Sequence, residues 1–137
     1  MASKINSFKK EERLCNKKLL SALFANGSSF LFYPFRVTWL YSPSALSQQA
    51  AQIVIGVPKK RFKHSVDRNL LKRRMKEAYR LNKSIKLYPF LMDANRSIIL
   101  SLTYVGKETS DYAFIFKKMA AMIEILIENI NTHENHQ

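Results

Sequence analysis

The sequence has 137 residues with a formal net charge of +13, and hydrophobic residues make up 47% of it. A chain of this length and apolar content can bury a core as one domain without disulfides or structural metals. Disulfide-stapled and disordered classes are therefore excluded, and the positive charge favours a polyanionic partner. The single cysteine, Cys15, is expected to be a partly buried apolar side chain in a reducing compartment.

Residues 1–13 are polar and basic, and we expect them to form a flexible arm. Their charges stand where a secretion signal needs an apolar run. No apolar stretch approaches the roughly 18 residues needed to span a bilayer. We therefore expect a cytoplasmic protein that has no contact with membranes.

A helix is predicted over residues 17–25, with Asn16 as its N-cap and Gly27 as its terminator. Its apolar side consists of Leu19, Leu20, Leu23 and Phe24. Packing in the core is the favoured interpretation of Phe24, and contact with a ligand is the alternative.

Three strands are predicted from apolar alternation. In residues 35–41 the odd-numbered side chains face the core, while Arg36 and Thr38 face solvent or a cleft. Residues 51–57 are apolar enough to be central, and the loop before them suggests an antiparallel hairpin with the first strand. Residues 96–105 form the third strand. The helix between the second and third strands implies a βαβ unit with a parallel pair.

The stretch 59–86 contains twelve Lys or Arg but only two acids, Asp67 and Glu77, so it holds +10 of the net +13. A helix over 68–83 is predicted, with Ser65 as N-cap and Asp67 in the first turn. One arc of this helix is apolar and comprises Leu71, Met75, Ala78 and Tyr79. A neighbouring basic stripe comprises Arg68, Lys72, Lys76, Arg80 and Lys83, with Asn69 and Arg73 beside it. Like charges four residues apart repel, so the stripe favours a nucleic-acid partner over a solvated face.

The chain after this helix is expected to break at Tyr88 and Pro89 and again at residues 93–95. Ser110 and Asp111 can begin the last helix. Its apolar stripe comprises Tyr112, Phe116, Met119, Ile123, Leu126 and Ile130. This spacing favours core packing over a seam with a partner helix. Residues 131–137 are predicted to be a disordered tail.

The order of these residues resembles the protein subunit of bacterial ribonuclease P over residues 8–128. The matching residues are Phe24 and Gly27, then Lys59, Lys60, Arg68, Asn69, Leu70, Leu71, Lys72, Arg73 and Arg74, and finally Glu77, Ala78 and Tyr79. Leu70 departs from the pattern, which usually has Arg there. The resemblance implies a single-domain α+β fold, an α/β sandwich ordered helix, three strands, helix, strand, helix. Its mixed central sheet would have a left-handed βαβ crossover, as in the second domain of a small-subunit ribosomal protein.

The resemblance also implies a function: a subunit that binds the catalytic RNA and the 5′ leader of precursor tRNA. The RNA, with Mg²⁺ in its active site, would cleave the phosphodiester that frees the mature 5′ end. Residues matched or adjacent to the motif would contact the catalytic RNA: Arg68, Asn69, Lys72, Arg73, Lys76, Arg80 and Arg74. The stem of Arg74 can equally pack. Loop and leader contacts would come from Lys59, Lys60, Arg61, Lys63, Phe24, Arg36 and Thr38. Leu20 stands at a second position where the family often has an aromatic residue.

Side chains able to catalyse hydrolysis are not apparent. The acids are scattered, His64 lies in the basic loop, and His133 and His136 lie in the polar tail. We therefore expect no catalytic residue, no protein-bound metal and no obligate protein partner. The alternatives are a ribosomal-type structured-RNA-binding protein, a DNA-binding regulator and, least favoured, a nuclease that acts without RNA.

Overall fold

A mixed four-stranded sheet with helices on both faces forms the centre of the computed structural model, which describes residues 10–42 and 50–135. The helices are α1 (Lys17–Asn26), α2 (Ser65–Asn82), α3 (Tyr88–Asp93) and α4 (Tyr112–Asn135). The strands are β1 (Ser28–Phe32), β2 (Phe35–Tyr41), β3 (Ala51–Gly56) and β4 (Ile98–Tyr104). A 3₁₀ turn, Lys10–Glu12, precedes α1, and a π-helical turn, Lys83–Leu87, joins α2 to α3. The α+β class and the order of the main elements are as predicted.

The strands are arranged in the order β1-β2-β4-β3. Strands β3 and β4 are parallel, which confirms the βαβ unit, and β2 pairs antiparallel with β4. The predicted hairpin of β2 with β3 is wrong, because β4 lies between them. Strand β3 is consequently at an edge rather than central. The hairpin partner of β2 is β1, a strand that the family resemblance implied but that the residue pattern did not locate. The two strands are joined at Tyr33 and Pro34, whose peptide bond is cis.

The core lies between one face of the sheet and helices α2 and α4. The odd-numbered residues of β2 point into it, as predicted, with Phe35 and Val37 fully buried. Trp39 donates a hydrogen bond from Nε1 to Oδ1 of Asn129 on α4, at 2.7 Å. The predicted apolar arc of α2 is wholly buried. The stripe of α4 packs in the same core, so the partner-helix alternative is set aside.

The segment 10–14 packs against the sheet instead of forming a free arm. Arg13 bridges to Ile53 on β3, and the amide of Leu14 donates to the carbonyl of Ile53 at 2.8 Å. Glu12 is 3% exposed and forms an ion pair with Lys83, which is fully buried. The arm prediction is therefore wrong for residues 10–13. Residues 1–9 lie outside the described residues.

Lys83 does not belong to the basic stripe, because the helical chain turns inward at its position. The side chain lies 5.0 Å from the ring centroid of Tyr88, whose hydroxyl also donates to Glu12. Burial raises the pKa of the hydroxyl groups of Tyr88 and Tyr79. The cluster of Glu12, Tyr79, Lys83 and Tyr88, here called the buried ion-pair cluster, ties the N-terminal segment to the end of α2.

Several boundaries differ from prediction. The break at Tyr88 and Pro89 is wrong, because the π turn continues into α3 and Pro89 occupies its first turn, where a helix leaves N–H groups unpaired anyway. The break at 93–95 is confirmed, and Asn95 has φ of 56°.

The ends of other helices also differ from those predicted. Helix α4 continues to Asn135, so a disordered tail is wrong for residues 131–135. His64, not Ser65, occupies the N-cap of α2, and its side chain makes no capping bond.

The side chain of Cys15 is exposed, so the prediction that it is partly buried is wrong. Within the described ranges, no helix has the length and apolar character to cross a membrane.

Candidate nucleic-acid interface

The loop between β3 and α2, residues 57–64, is held rigidly by the first motif arginine. Arg68 donates from Nη1 to the carbonyls of Phe62 and Lys63, at 2.7 and 2.8 Å. Phe62 is buried, with its ring centroid 5.8 Å from that of Tyr104. The structure thus gives Arg68 a role in ordering the loop that the motif alone did not indicate.

The fixed loop displays cations to solvent. The side chains of Lys59, Lys60, Arg61 and Lys63 are all exposed, as is that of His64. The four cationic side chains were all predicted to contact RNA. We call residues 59–63 the basic loop.

The solvent-facing side of α2 continues the positive surface. Asn69, Arg73 and Lys76 are exposed and Lys72 is half-buried. These four residues, here called the α2 cationic face, lie on successive turns of one helix. Leu70, where the family usually has Arg, is half-buried. The cationic face is therefore narrower than the stripe predicted from sequence.

Two further residues that were predicted to contact the catalytic RNA, Arg80 and Arg74, have protein partners. Arg80 forms a bidentate ion pair with Glu77, with Nη2–Oε1 and Nε–Oε2 distances of 2.5 and 3.1 Å. Hydrogen bonds from Arg80 hold the pKa of Glu77 below its usual range. Arg74 donates from Nη1 to the carbonyl of Ser110 at 2.5 Å, so its guanidinium has a partner within the protein.

Arg74 orders the loop between β4 and α4. Tyr104 donates to the carbonyl of Glu108 at 2.5 Å, and its hydroxyl is 2.8 Å from Oγ of Ser110. The exposed Lys107 is displayed by this loop. Sequence analysis missed Lys107, since a lone lysine in a short loop forms no pattern.

The opposite face of the sheet is only partly covered. Helix α1 packs there through Leu23 and Ile99, with Leu19, Leu20, Leu40 and Val54 around them. Asn16 caps the helix as predicted, accepting from the amides of Lys18 and Leu19 at 2.9 and 3.2 Å.

Gly27 permits the close approach of α1 to β2. A Cβ atom there would lie 2.4 Å from the carbonyl oxygen of Leu23 and 2.9 Å from Cγ2 of Thr38. The spacing of Phe24 and Gly27 therefore has a physical basis: glycine ends the helix where it meets the sheet, and Phe24 on the last turn is 65% exposed.

Beyond α1, one row of register partners crosses the whole sheet and is exposed on β1 and β2 and half-buried on β4 and β3. Leu31 pairs with Arg36, Arg36 with Thr103, and Thr103 with Gly56. Leu31 is 64% exposed and Arg36 is also exposed. The row and the adjacent end of α1 form a shallow surface that we call the sheet cleft. Its Gly56 end leads through Val57 and Pro58 into the basic loop.

Thr38 does not belong to this cleft, contrary to prediction. It is only 7% exposed, and its hydroxyl lies 2.8 Å from that of Ser29. The reason is its position one row closer to α1, where Gly27 brings the helix down upon it. Of the leader-contacting residues predicted outside the loop, the structure therefore exposes Phe24 and Arg36 only.

Three acidic side chains of the described chain form ion pairs with lysine or arginine. Glu12 pairs with Lys83, Glu77 with Arg80, and Glu124 with Lys86. Among residues 10–42 and 50–135, no three His, Cys, Asp or Glu side chains are grouped so as to hold a metal ion. The side chains of His133 and His136 lie outside the described residues.

Comparison with known proteins identifies relatives over most of the chain. The family model described as Ribonuclease P matches residues 8–124. The Ribonuclease P protein component of Porphyromonas gingivalis is 30% identical over 121 residues, covering 88% of this chain and 87% of the relative. That of Chlorobium phaeobacteroides is 34% identical over 142 aligned positions, covering 95% and 92%.

Solved structures show the same fold. The RNase P protein of Staphylococcus aureus superposes with a TM-score of 0.66 at 16% identity, covering 84% of this chain and 94% of that one. The RNase P protein of Thermotoga maritima gives a TM-score of 0.62 at 20% identity, covering 82% and 94%. A ribosomal-type or DNA-binding identity is not supported by any of these matches. The chain belongs to the ribonuclease P protein family, as the protein component of the endoribonuclease that matures tRNA 5′ ends.

Proposed function

We propose that this subunit binds two RNAs with two adjoining surfaces. The α2 cationic face and the basic loop bind the catalytic RNA of ribonuclease P, and the sheet cleft binds the single-stranded 5′ leader of precursor tRNA. The observation that supports this most directly is the row from Leu31 to Gly56, which runs across the sheet, is exposed at Leu31 and Arg36, and ends beside the basic loop.

Binding to the catalytic RNA rests on cations that no acid of α2 neutralises. Glu77 is paired with Arg80, and Asp67 lies in the first turn, near the positive end of the helix dipole. Arg73, Lys76 and the lysines of the basic loop remain available for phosphates. Each phosphate that they neutralise releases counterions, which makes the affinity high and dependent on salt.

Binding to the leader rests on the mixed chemistry of the sheet cleft. Phe24 and Leu31 offer exposed apolar surface on which bases can stack or pack. Arg36 lies beside Leu31 in the row and can meet a phosphate of the same strand. Stacking and phosphate contacts do not select a base, so the cleft would accept leaders of different sequence.

Hydrolysis itself is assigned to the RNA subunit, in whose active site Mg²⁺ would activate the attacking water. The residues of this chain bind and position RNA, and three of its acids, Glu12, Glu77 and Glu124, are engaged in ion pairs. Precursor tRNA is processed where it is transcribed, so we place the activity in the cytoplasm.

The test is cleavage of a leader-bearing precursor tRNA at low Mg²⁺ by the cognate ribonuclease P RNA, with and without this protein. We expect cleavage only when RNA and protein are both present. The double variant Arg73→Gln, Lys76→Gln should weaken assembly with the catalytic RNA and flatten the plot of log affinity against log salt by about 1.5 in slope, which corresponds to two phosphate contacts. Lys117→Gln, on exposed α4 surface, removes a charge outside both surfaces and serves as the control.

Leader binding is tested separately with Phe24→Ala. The variant should weaken binding of the leader-bearing precursor by the holoenzyme and leave binding of leaderless tRNA unchanged. Cleavage by the protein without RNA, or an equal loss for both substrates, would contradict the proposal.

A further inference from the structure

Gly56 is a glycine that the fold itself does not require. It lies at the end of β3 and is still paired with Thr103 on β4. A Cβ atom built on it meets nothing within 4 Å, and no glycine in the described chain has positive φ. A residue with a side chain would therefore fit here without strain.

The other described glycines contrast with Gly56. A Cβ on Gly27 would clash with the backbone of α1, and one on Gly106 would lie 2.7 Å from the hydroxyl oxygen of Tyr104. Close packing explains both. Glycine in a strand loses more conformational entropy on folding than any other residue, so a free position normally favours a side chain. When packing does not explain a strand glycine, close approach by another molecule is a recognised reason.

The location of Gly56 indicates which molecule approaches. It occupies the end of this row, beside Thr103 and two strands from Arg36, on the face of the sheet that α1 covers only in part. Lys59 and Lys60 follow three and four residues later at the same end. A chain lying along the row towards the basic loop must pass over Gly56.

We infer that Gly56 is a determinant of leader binding, because its missing side chain lets a nucleotide of the leader lie directly on the strand backbone. This inference rests on the proposed binding of the leader in the sheet cleft. Since the Cα hydrogens of glycine make no base-specific hydrogen bond, the contact is steric and tolerates any base. A side chain at position 56 would lift the nucleotide off the sheet, and its effect would increase with side-chain volume.

The experiment compares Gly56→Ala, Gly56→Val and Gly56→Leu in the holoenzyme, formed with the cognate catalytic RNA. Affinities are measured for precursor tRNA with a leader and for the same tRNA without one. We expect little change for alanine and a loss for leucine of about fivefold to a hundredfold, the size of losing one stacked base, for the leader-bearing substrate only. Valine should be intermediate.

The controls separate a local effect from damage to the fold. Ala113→Leu adds apolar volume at an exposed position of α4, which packs on the other face of the sheet, and should leave both affinities unchanged. The melting temperature of the Gly56 variants should equal or exceed that of the wild type. Gly56→Val, with a side chain that strands favour, gives the same test if leucine prevents folding.

The outcomes distinguish this inference from the proposed function. If the wild-type holoenzyme binds both substrates equally, the leader role of the sheet cleft is wrong. If the wild type prefers the leader-bearing substrate and Phe24→Ala abolishes that preference, but Gly56→Leu does not, only the role of Gly56 is overturned. An equal loss of both substrates in Gly56→Leu also overturns it.

Discussion

Removing one charge from the buried ion-pair cluster should be among the most destabilising single substitutions in this protein. Replacing Lys83 by Met removes the buried cation that pairs with the carboxylate of Glu12, which is 3% exposed, while the hydroxyl of Tyr88 still donates to that carboxylate. Removal of one partner from a buried pair typically costs about 3–5 kcal/mol, because the remaining charge stays desolvated. At about 3 °C per kcal/mol for a domain of this size, the melting temperature should fall by about 9–15 °C.

Urea denaturation followed by far-ultraviolet circular dichroism measures this cost. The double variant Glu12→Leu, Lys83→Met removes both charges, so it should be more stable than Lys83→Met alone. An exposed pair provides the control: Lys86 and Glu124 have side chains 43% and 58% exposed. Lys86→Met should cost less than about 1 kcal/mol, since exposed ion pairs contribute little.

Equal costs for Lys83→Met and Lys86→Met would refute this reasoning. Such a result would mean that water reaches the carboxylate of Glu12 and that the segment 10–14 is not firmly packed. An additive double variant would likewise show that the two charges do not interact.

Three further predictions follow from the packing and the charge pairs. Gly27→Ala should destabilise the protein by about 1–3 kcal/mol in urea denaturation, because its Cβ has no room; a neutral effect would contradict the close approach of α1. Arg74→Met should lower the free energy of unfolding by about 1.5–3 kcal/mol, because the charged hydrogen bond to Ser110 is lost. The salt dependence of RNA affinity should stay unchanged. A flatter salt dependence would instead show that Arg74 contacts a phosphate. Glu77→Gln should break the ion pair with Arg80 and steepen the slope of log RNA affinity against log salt by up to about 0.9. An unchanged slope would show that Arg80 does not contact RNA.

Helices α1, α2 and α4 and three of the four strands could be predicted because their patterns are local. Asn16 and Asp111 cap helices within a few residues of themselves, and Asp111 accepts from the amide of Phe114 at 2.8 Å. The buried arc of α2 follows from helical spacing alone. The basic loop and the α2 cationic face were found by the same means, since charge density is visible in the sequence.

Strand pairing could not be predicted, because it depends on contacts between distant segments. Strand β1 has no β-branched residue, and the two serines at its start indicate a connection after the helix rather than a strand. The inward turn of Lys83 required knowledge of Glu12, 71 residues away. The burial of Thr38 likewise depends on how closely α1 approaches, which the alternation within β2 does not indicate.

The packed segment 10–14 also covers part of the open edge of strand β3. Strand β3 is apolar and lies at the edge of the sheet, and an open edge of this kind can pair with the edge of another chain. The bridge of Arg13 to Ile53 and the hydrogen bond from Leu14 occupy part of that edge within the same chain. Detachment of this segment would therefore expose an edge able to pair with another chain, and the ion pair of Glu12 with Lys83 opposes that detachment.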